Sequence, residues 1–527
     1  MKLISGFYNR LFYLAVLSLL VLGCTAEGLQ KENSISGIPN PQGAAKQLST
    51  SSYNSLSAVD QYQVTNKLLG TLYKGVSVGE FFNTRAGLSQ SGIQARQTFN
   101  LSSIAKQLNT RLENPQSYIV EMKEKHHFYN NSTENPAVAG PMALMFELPV
   151  SKDHFENWMA YELANTILFS PAEEIASASF DDVDWVYNRL VDWIRKGRSI
   201  SDIAYSYMVS EANWRRFRSP EDNTREMIEI FLGLFDRDVE IPNVARACGN
   251  WWIDEEGGDY VLKVDVNRQN QQPELIFGKY DEYGNHIAGT GLYVVSCEEF
   301  YQAVASHPLL VPRITTVLVD RFFANKPQTE RAELIQSIMS IQPTTFNEIF
   351  LSILFSDEYL INNSRPKSYE ETFYNLAARL KWQPHDRFFT RLTSTRSDAN
   401  KTLKRMGQPS MSLKLGRFKE QPLDSLSFAH YHKAIREDLL ITVEGYSSWG
   451  WGWKNEIKDN MLVLNSLDEK IDLAFMSVLG RRASVEEKQS LMPLLSNKSP
   501  EALATIVFDY ASRLPELYYI NKTSKGE

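Results

Sequence analysis

The residues of this chain that could do chemistry are few and scattered. His430-Tyr431-His432 is the one close His-x-His pair. On a strand, alternate residues point to one face and both imidazoles could reach a metal ion; on a helix they diverge, and Ala429 to Leu440 reads as helix. Asp424 and Glu437 would join them only through a favourable tertiary fold, so no metal and no cofactor are expected. His126-His127, beside Asn130-Asn131, reads as a solvated loop. Asp265-x-Asn267-x-Gln269 opens like a calcium loop, but Asn270 stands where the glycine belongs and no glutamate falls at the twelfth position. Gly289-Thr290-Gly291 lacks the strand–helix setting and the lysine of a phosphate loop. There is no nucleophile elbow, paired-carboxylate motif or Ser/His/Asp ordering, so no catalytic residue is assigned.

Aromatic and sulfur residues are more suggestive. Trp251-Trp252 and Trp449-Gly450-Trp451-Gly452-Trp453 are dense clusters, the second preceded by Tyr446-Ser447-Ser448. Indoles spaced by glycines suit an exposed loop that stacks on sugar rings or packs on a partner, and equally a core plug under a turn. Trp449, Trp451 and Trp453 are therefore binding candidates. Cys248 and Cys297 can form a disulfide in an oxidising compartment, closing a loop of about 50 residues, or stay as two buried thiols. No Cys-x-x-Cys-His and no zinc-like spacing is present.

The compartment follows from the N-terminus. Lys2 and Arg10 precede a short apolar run, Leu11 to Leu22, which ends in Val21-Leu22-Gly23-Cys24. That reads as a secretory signal with a lipobox, by which residues 1–23 are expected to be removed and Cys24 to carry a lipid that anchors the protein to a membrane; the alternatives are a plain signal peptide with a coincidental cysteine and an uncleaved anchor. The run is short for a spanning helix, which needs about 20 apolar residues. Losing the signal takes the net charge from −8 to −10. With no Lys/Arg run or basic domain, nucleic-acid binding lacks an electrostatic footprint.

The elements that must position these residues are mostly helical. Val64, Leu68, Leu69 and Leu72 recur at helical steps, as do Val186, Leu190, Trp193 and Ile194, and Met227, Ile228, Phe231 and Leu234. Ser170-Pro171-Ala172-Glu173 and Ser484-Val485-Glu486-Glu487 are helix starts. Glycine and asparagine turns between short apolar runs mark 257–297 as a small β-hairpin-like insertion. Two stretches look like copies of one helical unit, Phe322 to Tyr359 and Val478 to Tyr519, with Leu334 and Leu491 offset by 157 residues. A weaker third copy runs from Leu168 to Trp214. The fold class is thus mainly α: a flexible tether over 24–55, rich in Ser, Gly, Gln and Asn, an N-terminal helical domain over 56–256, the insertion over 257–297, a central helical domain over 298–440 and a C-terminal helical repeat unit over 441–527.

Four blocks carry a family resemblance. Glu221-Asp222-Asn223-Thr224-Arg225-Glu226-Met227-Ile228-Glu229 resembles the Asn-Glu-Asn-x-Ala-Arg-Glu-Leu-x-Glu block of the domain of unknown function 1800 family of exported bacterial proteins. Asp238-Val239 with Ala245-Arg246-Ala247 and Gly249-x-Trp251 is similar to the block that follows it. His307-Pro308 with Arg321-Phe322, and Phe355-Ser356-Asp357-Glu358-Tyr359 with Leu403 to Pro409, continue the order. Pro220 replaces the first asparagine, and the later proline-rich segment shrinks to Pro409 and Pro422, as in a divergent member. The resemblance implies an exported helical protein and no reaction. Within its blocks, Arg225, Glu226 and Arg246 are the polar binding candidates, with a helix-locking buried ion pair as their plainer role. The expectation is a non-catalytic binding or scaffold role towards an envelope protein or exported polysaccharide; the alternative is a divergent hydrolase of envelope polymer.

Overall fold

The computed structural model describes residues 34–82, 99–125, 136–168, 180–257, 259–268, 270, 272–384, 388–389, 432, 450–451 and 453–523. Within them the fold is mainly α, and the strands form only two-stranded antiparallel sheets.

Serine explains most helix starts. Ser57, Ser151, Ser199, Ser210, Ser219, Ser296 and Ser499 each accept a hydrogen bond from the backbone N–H three residues on. Such a cap satisfies an N–H that has no partner within the helix and contributes about 1 kcal/mol. Thr345/Glu348, Ser368/Glu371, Ser466/Glu469 and Ser484/Glu487 are full capping boxes. Gly233 and Gly480 end their helices in the left-handed conformation that a side chain resists.

Two helices lie at the centre. Lys152–Ala164 is buried at every position after Lys152, and Tyr369–Arg379 at every position but Ala378. Trp158 stacks on Phe155 at 5.7 Å and meets Phe350 edge-on at 5.1 Å. One contiguous buried cluster runs from Ile35 to Ile520.

The beginning of that cluster corrects one expectation. From Ser34 the segment read as a flexible tether is folded: Ile35, Ala45, Leu48 and Tyr53 are buried, and Thr50–Asn54 is helical. The Leu48 N–H donates to Phe355 O at 2.9 Å, and the Asp357 N–H to Lys46 O at 2.8 Å. A few spaced apolar residues dock the segment, and its serines serve as caps, a use that composition does not separate from linker. Residues 24–33 lie outside the described set.

The two repeated stretches have the same element order. Leu310–Phe322, Gln328–Met339 and Phe346–Leu354 pack on one another, as do Leu467–Leu479, Val485–Leu495 and Pro500–Ala511. Each triplet ends in a helical turn, Glu358–Asn362 or Pro515–Tyr518, and then a two-residue strand. In the third stretch, 169–179 lie outside the described residues.

The insertion begins earlier than expected. Strand β1 (Trp251–Glu256) pairs with β2 (Asp259–Val264) from Trp251↔Val264 to Glu256↔Asp259, and β3 (Glu274–Ile276) pairs with β4 (Leu292–Val294). Trp251 tucks between Trp214 and Tyr301, at 5.6 and 6.0 Å. This apolar anchor starts the hairpin six residues ahead of its glycines. Cys248 and Cys297, both fully buried, are bridged at the insertion's base with Cα atoms 4.4 Å apart. The bridge closes a separation of 49 residues. Replacing both cysteines by serine is expected to cost roughly 4 kcal/mol in loop entropy. The check is the urea midpoint of the full chain, which dithiothreitol should lower in the wild type to the value of the double variant.

Candidate functional site

Helices buried on every side can carry charge only if the charge is paired or hydrogen-bonded. Lys152–Ala164 meets this near its start, where Asp153 and Glu156 take Arg111 and Arg195 from outside; Arg111 Nη2 donates to Glu156 Oε1 at 2.7 Å and Arg195 Nη2 to Asp153 Oδ1 at 2.9 Å. Its neighbour His154 sets Nε2 against Leu72 O at 2.7 Å, and burial with Lys74 nearby holds the imidazole well below its ordinary pKa.

Near the end of that helix and the start of Tyr369–Arg379 lies a deeper network. Arg365, fully buried, grips Glu371 through both Nη atoms and donates to the Tyr359 hydroxyl at 3.0 Å. The Tyr359 and Thr71 hydroxyls are hydrogen-bonded at 2.6 Å, and Thr71 Oγ1 donates to Lys67 O at 2.9 Å. Arg321 sits 3.6 Å from Glu371 and 3.7 Å from Glu162, which also accepts from Tyr73 OH at 2.6 Å. Tyr161 OH donates to Glu370 at 2.7 Å. Burial alone would raise Glu371, but Arg365 and Arg321 hold it down at about 2. Glu162 has the weaker partners, and burial pushes it up to about 7.

Beside this network opens a cavity of about 340 Å³. Three distant segments wall it: the Ala58–Thr71 helix, residues 367–379, and the stretch from Leu479 to Thr523. Gly70 lets the first two approach, since a Cβ there would lie 2.9 Å from Asn375 Nδ2 and 3.0 Å from Asn375 Cγ. Asn375 Nδ2 in turn donates to Lys74 O at 2.8 Å. The third wall is sewn on by strand β5 (Arg365–Pro366), which pairs with β8 (Tyr519–Ile520) beyond β6 (Gln383–Pro384) and β7 (Gly450–Trp451) in the chain. Thr523 adds an N–H to Ile361 O at 2.8 Å.

Cations dominate the lining. Lys67, Lys367, Arg379, Arg481 and Lys522 face two carboxylates, Glu371 and Glu516. Arg365 already holds Glu371, and Arg481 reaches Glu516 at 3.0 Å. Lys67 Nζ donates to Leu360 O and Asn363 O, both at 3.1 Å, and Lys367 Nζ to Leu517 O at 3.0 Å. Lys67 keeps its contact with water through the cavity while protein packs densely around it, and burial, Arg365 and Lys367 push it down to about 7. Burial with Arg379 and Arg365 does the same to Lys367. The arrangement suits holding a ligand. Its carboxylates are engaged as ion-pair partners, and the ammoniums of Lys67 and Lys367 as donors to carbonyls.

A second cavity, of about 530 Å³, is lined by serines that already serve as caps, Ser49 to the Ser52 N–H and Ser57 to the Asp60 N–H.

The candidates read from the sequence lie elsewhere and do not share a site. Arg225 makes an exposed pair with Asp238 at 3.3 Å, and Glu226 is half-buried on the same helix. Arg246 grips Glu274 at 2.8 and 2.7 Å, tying the Ile241–Ala247 helix to β3 of the insertion. Both arginines thus serve as ties between neighbouring elements, and both are exposed rather than buried. Asp265 accepts from the Asn267 N–H and pairs with Arg268, a turn rather than a calcium loop. His432 sits 3.4 Å from Ser512 Oγ, while His430 lies outside the described residues, as do His126, His127 and Cys24. Trp449 is also outside; Trp451 stands in β7 opposite Gln383, and Trp453 opens the Trp453–Met461 helix. Among the described residues no group of three or more His, Cys, Asp or Glu converges as for a metal ion.

The site itself had a signal in the sequence. Arg365-Pro366-Lys367-Ser368-Tyr369-Glu370-Glu371 and Arg481-Arg482-Ala483-Ser484-Val485-Glu486-Glu487 share the pattern Arg-x-x-Ser-x-Glu-Glu. Both fold alike: serine caps the helix, the last glutamate closes the capping box, and arginine grips that glutamate with both Nη atoms. The cavity lies between the two copies.

The chain matches no family model, and comparison with curated proteins and with solved structures gives no significant match.

Because the folded state holds Glu371 at about 2 against an ordinary 4.5, its contribution is complete above about pH 4.5 and disappears as pH falls towards 2. Glu371→Gln strands Arg365 in the interior and is expected to cost about 3–5 kcal/mol at neutral pH. Acid titrations of wild type and variant, read by tryptophan fluorescence, should converge between those two pH values.

Proposed function

We propose that this is a lipid-anchored cell-envelope protein with a non-catalytic binding role, holding an exported polysaccharide or an envelope protein near the membrane. The observation that carries the reading is the polar, cation-lined cavity between the two copies of the Arg-x-x-Ser-x-Glu-Glu unit. Its volume falls in the range of small-ligand sites, roughly 300–1,000 Å³. Hydrolysis of an envelope polymer would need a carboxylate or nucleophile free to act there, whereas Glu371 and Glu516 are held by arginine. The lipobox at Cys24, the Cys248–Cys297 bridge and the resemblance to exported helical proteins all fit an oxidising envelope. No helix among the described residues is long and apolar enough to cross a membrane.

The experiment is gentle crosslinking and capture of the full lipidated protein from its native membrane, read by mass spectrometry and glycan analysis. A stoichiometric envelope protein or a co-purifying polysaccharide is expected; a folded monomer with neither would count against the reading. Cys24→Ala should lose metabolic fatty-acid labelling and release the protein from membranes. Arg225→Ala, which breaks only an exposed pair, should leave capture intact and change stability by less than about 0.5 kcal/mol.

A further inference from the structure

A cation inside a protein is costly unless an anion or several hydrogen bonds face it. Among the described residues, neither Lys67 nor Arg379 has a carboxylate in ion-pair contact. Lys67 rests on two backbone carbonyls, and Arg379 donates to Met476 O and to Asn375 Oδ1 while lying over the Tyr62 ring at 5.8 Å. Arg379 is 3% exposed. Both line the same cavity, with Lys367 beside them and Lys522 at its exposed rim. This concentration of positive charge sits in a chain whose net charge is −8. Gln63, Asn521 and Tyr519 complete the lining with amides and a half-buried aromatic ring. Amides and a phenol suit ligand hydroxyls, and the cations suit a carboxylate or sulfate.

We propose that this cavity takes an acidic sugar, its carboxylate or sulfate held by Lys67, Lys367 and Arg379 and its hydroxyls by the surrounding amides. The proposal rests on the binding reading above and names its ligand class. An ammonium has three N–H donors; Leu360 O and Asn363 O accept two of those of Lys67, and an oxyanion in the cavity accepts the third. The groups facing Lys67 are Arg365, Lys367 and Glu358; those facing Lys367 are Arg379, Arg365 and Glu371. Both lysines titrate near 7, charged below and neutral above. Binding of an anion therefore takes up protons, and affinity falls as pH rises through 7.

The test is calorimetry of the full lipidated protein in detergent micelles with glucuronate, sulfated glucose, glucose, inorganic sulfate and inorganic phosphate. The two acidic sugars are expected to bind about tenfold or more tightly than glucose and than either inorganic ion. Binding should weaken about tenfold in Lys67→Gln and between about pH 6 and pH 8. Lys522→Gln, on the exposed rim, should weaken it severalfold without touching the buried network. Lys46→Gln, outside this cavity, should change nothing, and thermal melts establish that each variant is folded. Three results overturn the proposal: acidic sugars binding no tighter than glucose, inorganic ions alone binding, or full binding by both folded variants, Lys67→Gln and Lys522→Gln. If a partner is still captured from membranes in that event, the binding role survives and only the ligand class falls; if capture also fails, both do.

Discussion

The grip of Arg365 on Glu371 is the interaction on which the rest of this structure leans. It lies at the start of a helix that water does not reach, so neither partner can be left alone there without a cost of several kcal/mol. The pair fixes the capping box at Ser368, the path of β5 and the position of Tyr359. Through β5 it also fixes β8, which carries one wall of the cavity. A packing decision, to bury Tyr369–Arg379 on nearly all sides, thus becomes an electrostatic one and then a matter of cavity shape.

The second copy of the pattern shows what changes when the same motif lies nearer water. Arg481 and Glu487 repeat the two-pronged contact, but Arg481 is partly exposed and extends a further contact to Glu516. Partial contact with water screens this pair more than its fully buried counterpart. One motif therefore anchors the core and the other trims the cavity mouth. Lys67 and Lys367 lie between them, each solvated by backbone carbonyls. Cations in such a setting reduce stability unless carbonyls or an anion face them.

Much of the architecture was legible in the chain. The apolar stripes through Val64 to Leu72 and Met227 to Leu234 are helices, Ser484 to Glu487 is a capping box, and the glycine-rich stretch after Trp252 is a pair of small sheets. These features are local, set by neighbours within a turn or two. The segment before Tyr53 was not legible, because serine and asparagine serve linkers and helix caps equally, and only the docking of Ile35 and Leu48 tells them apart. The partners of Arg225 and Arg246 were hidden for a similar reason: Asp238 and Glu274 lie 13 and 28 residues away. The cavity was harder still. Lys67, Arg379 and Lys522 are unremarkable residues in three distant parts of the chain, and nothing in their neighbourhoods announces that they meet. The doubled Arg-x-x-Ser-x-Glu-Glu pattern was the visible trace, informative only once read as salt bridge and cap together.

That distance in sequence has a consequence for folding. Lys67 reaches Leu360 across 293 residues, and Lys367 reaches Leu517 across 150. Contacts of such long range demand the closing of large loops, a cost that the formation of single helices does not carry. The cavity therefore exists only where all three segments have met, and opening of the β5–β8 seam would remove one of its walls. A chain with its helices formed but that seam unmade would lack the cavity altogether. Occupancy of the cavity would then report the completeness of the fold, a checkpoint written in topology rather than in any single residue.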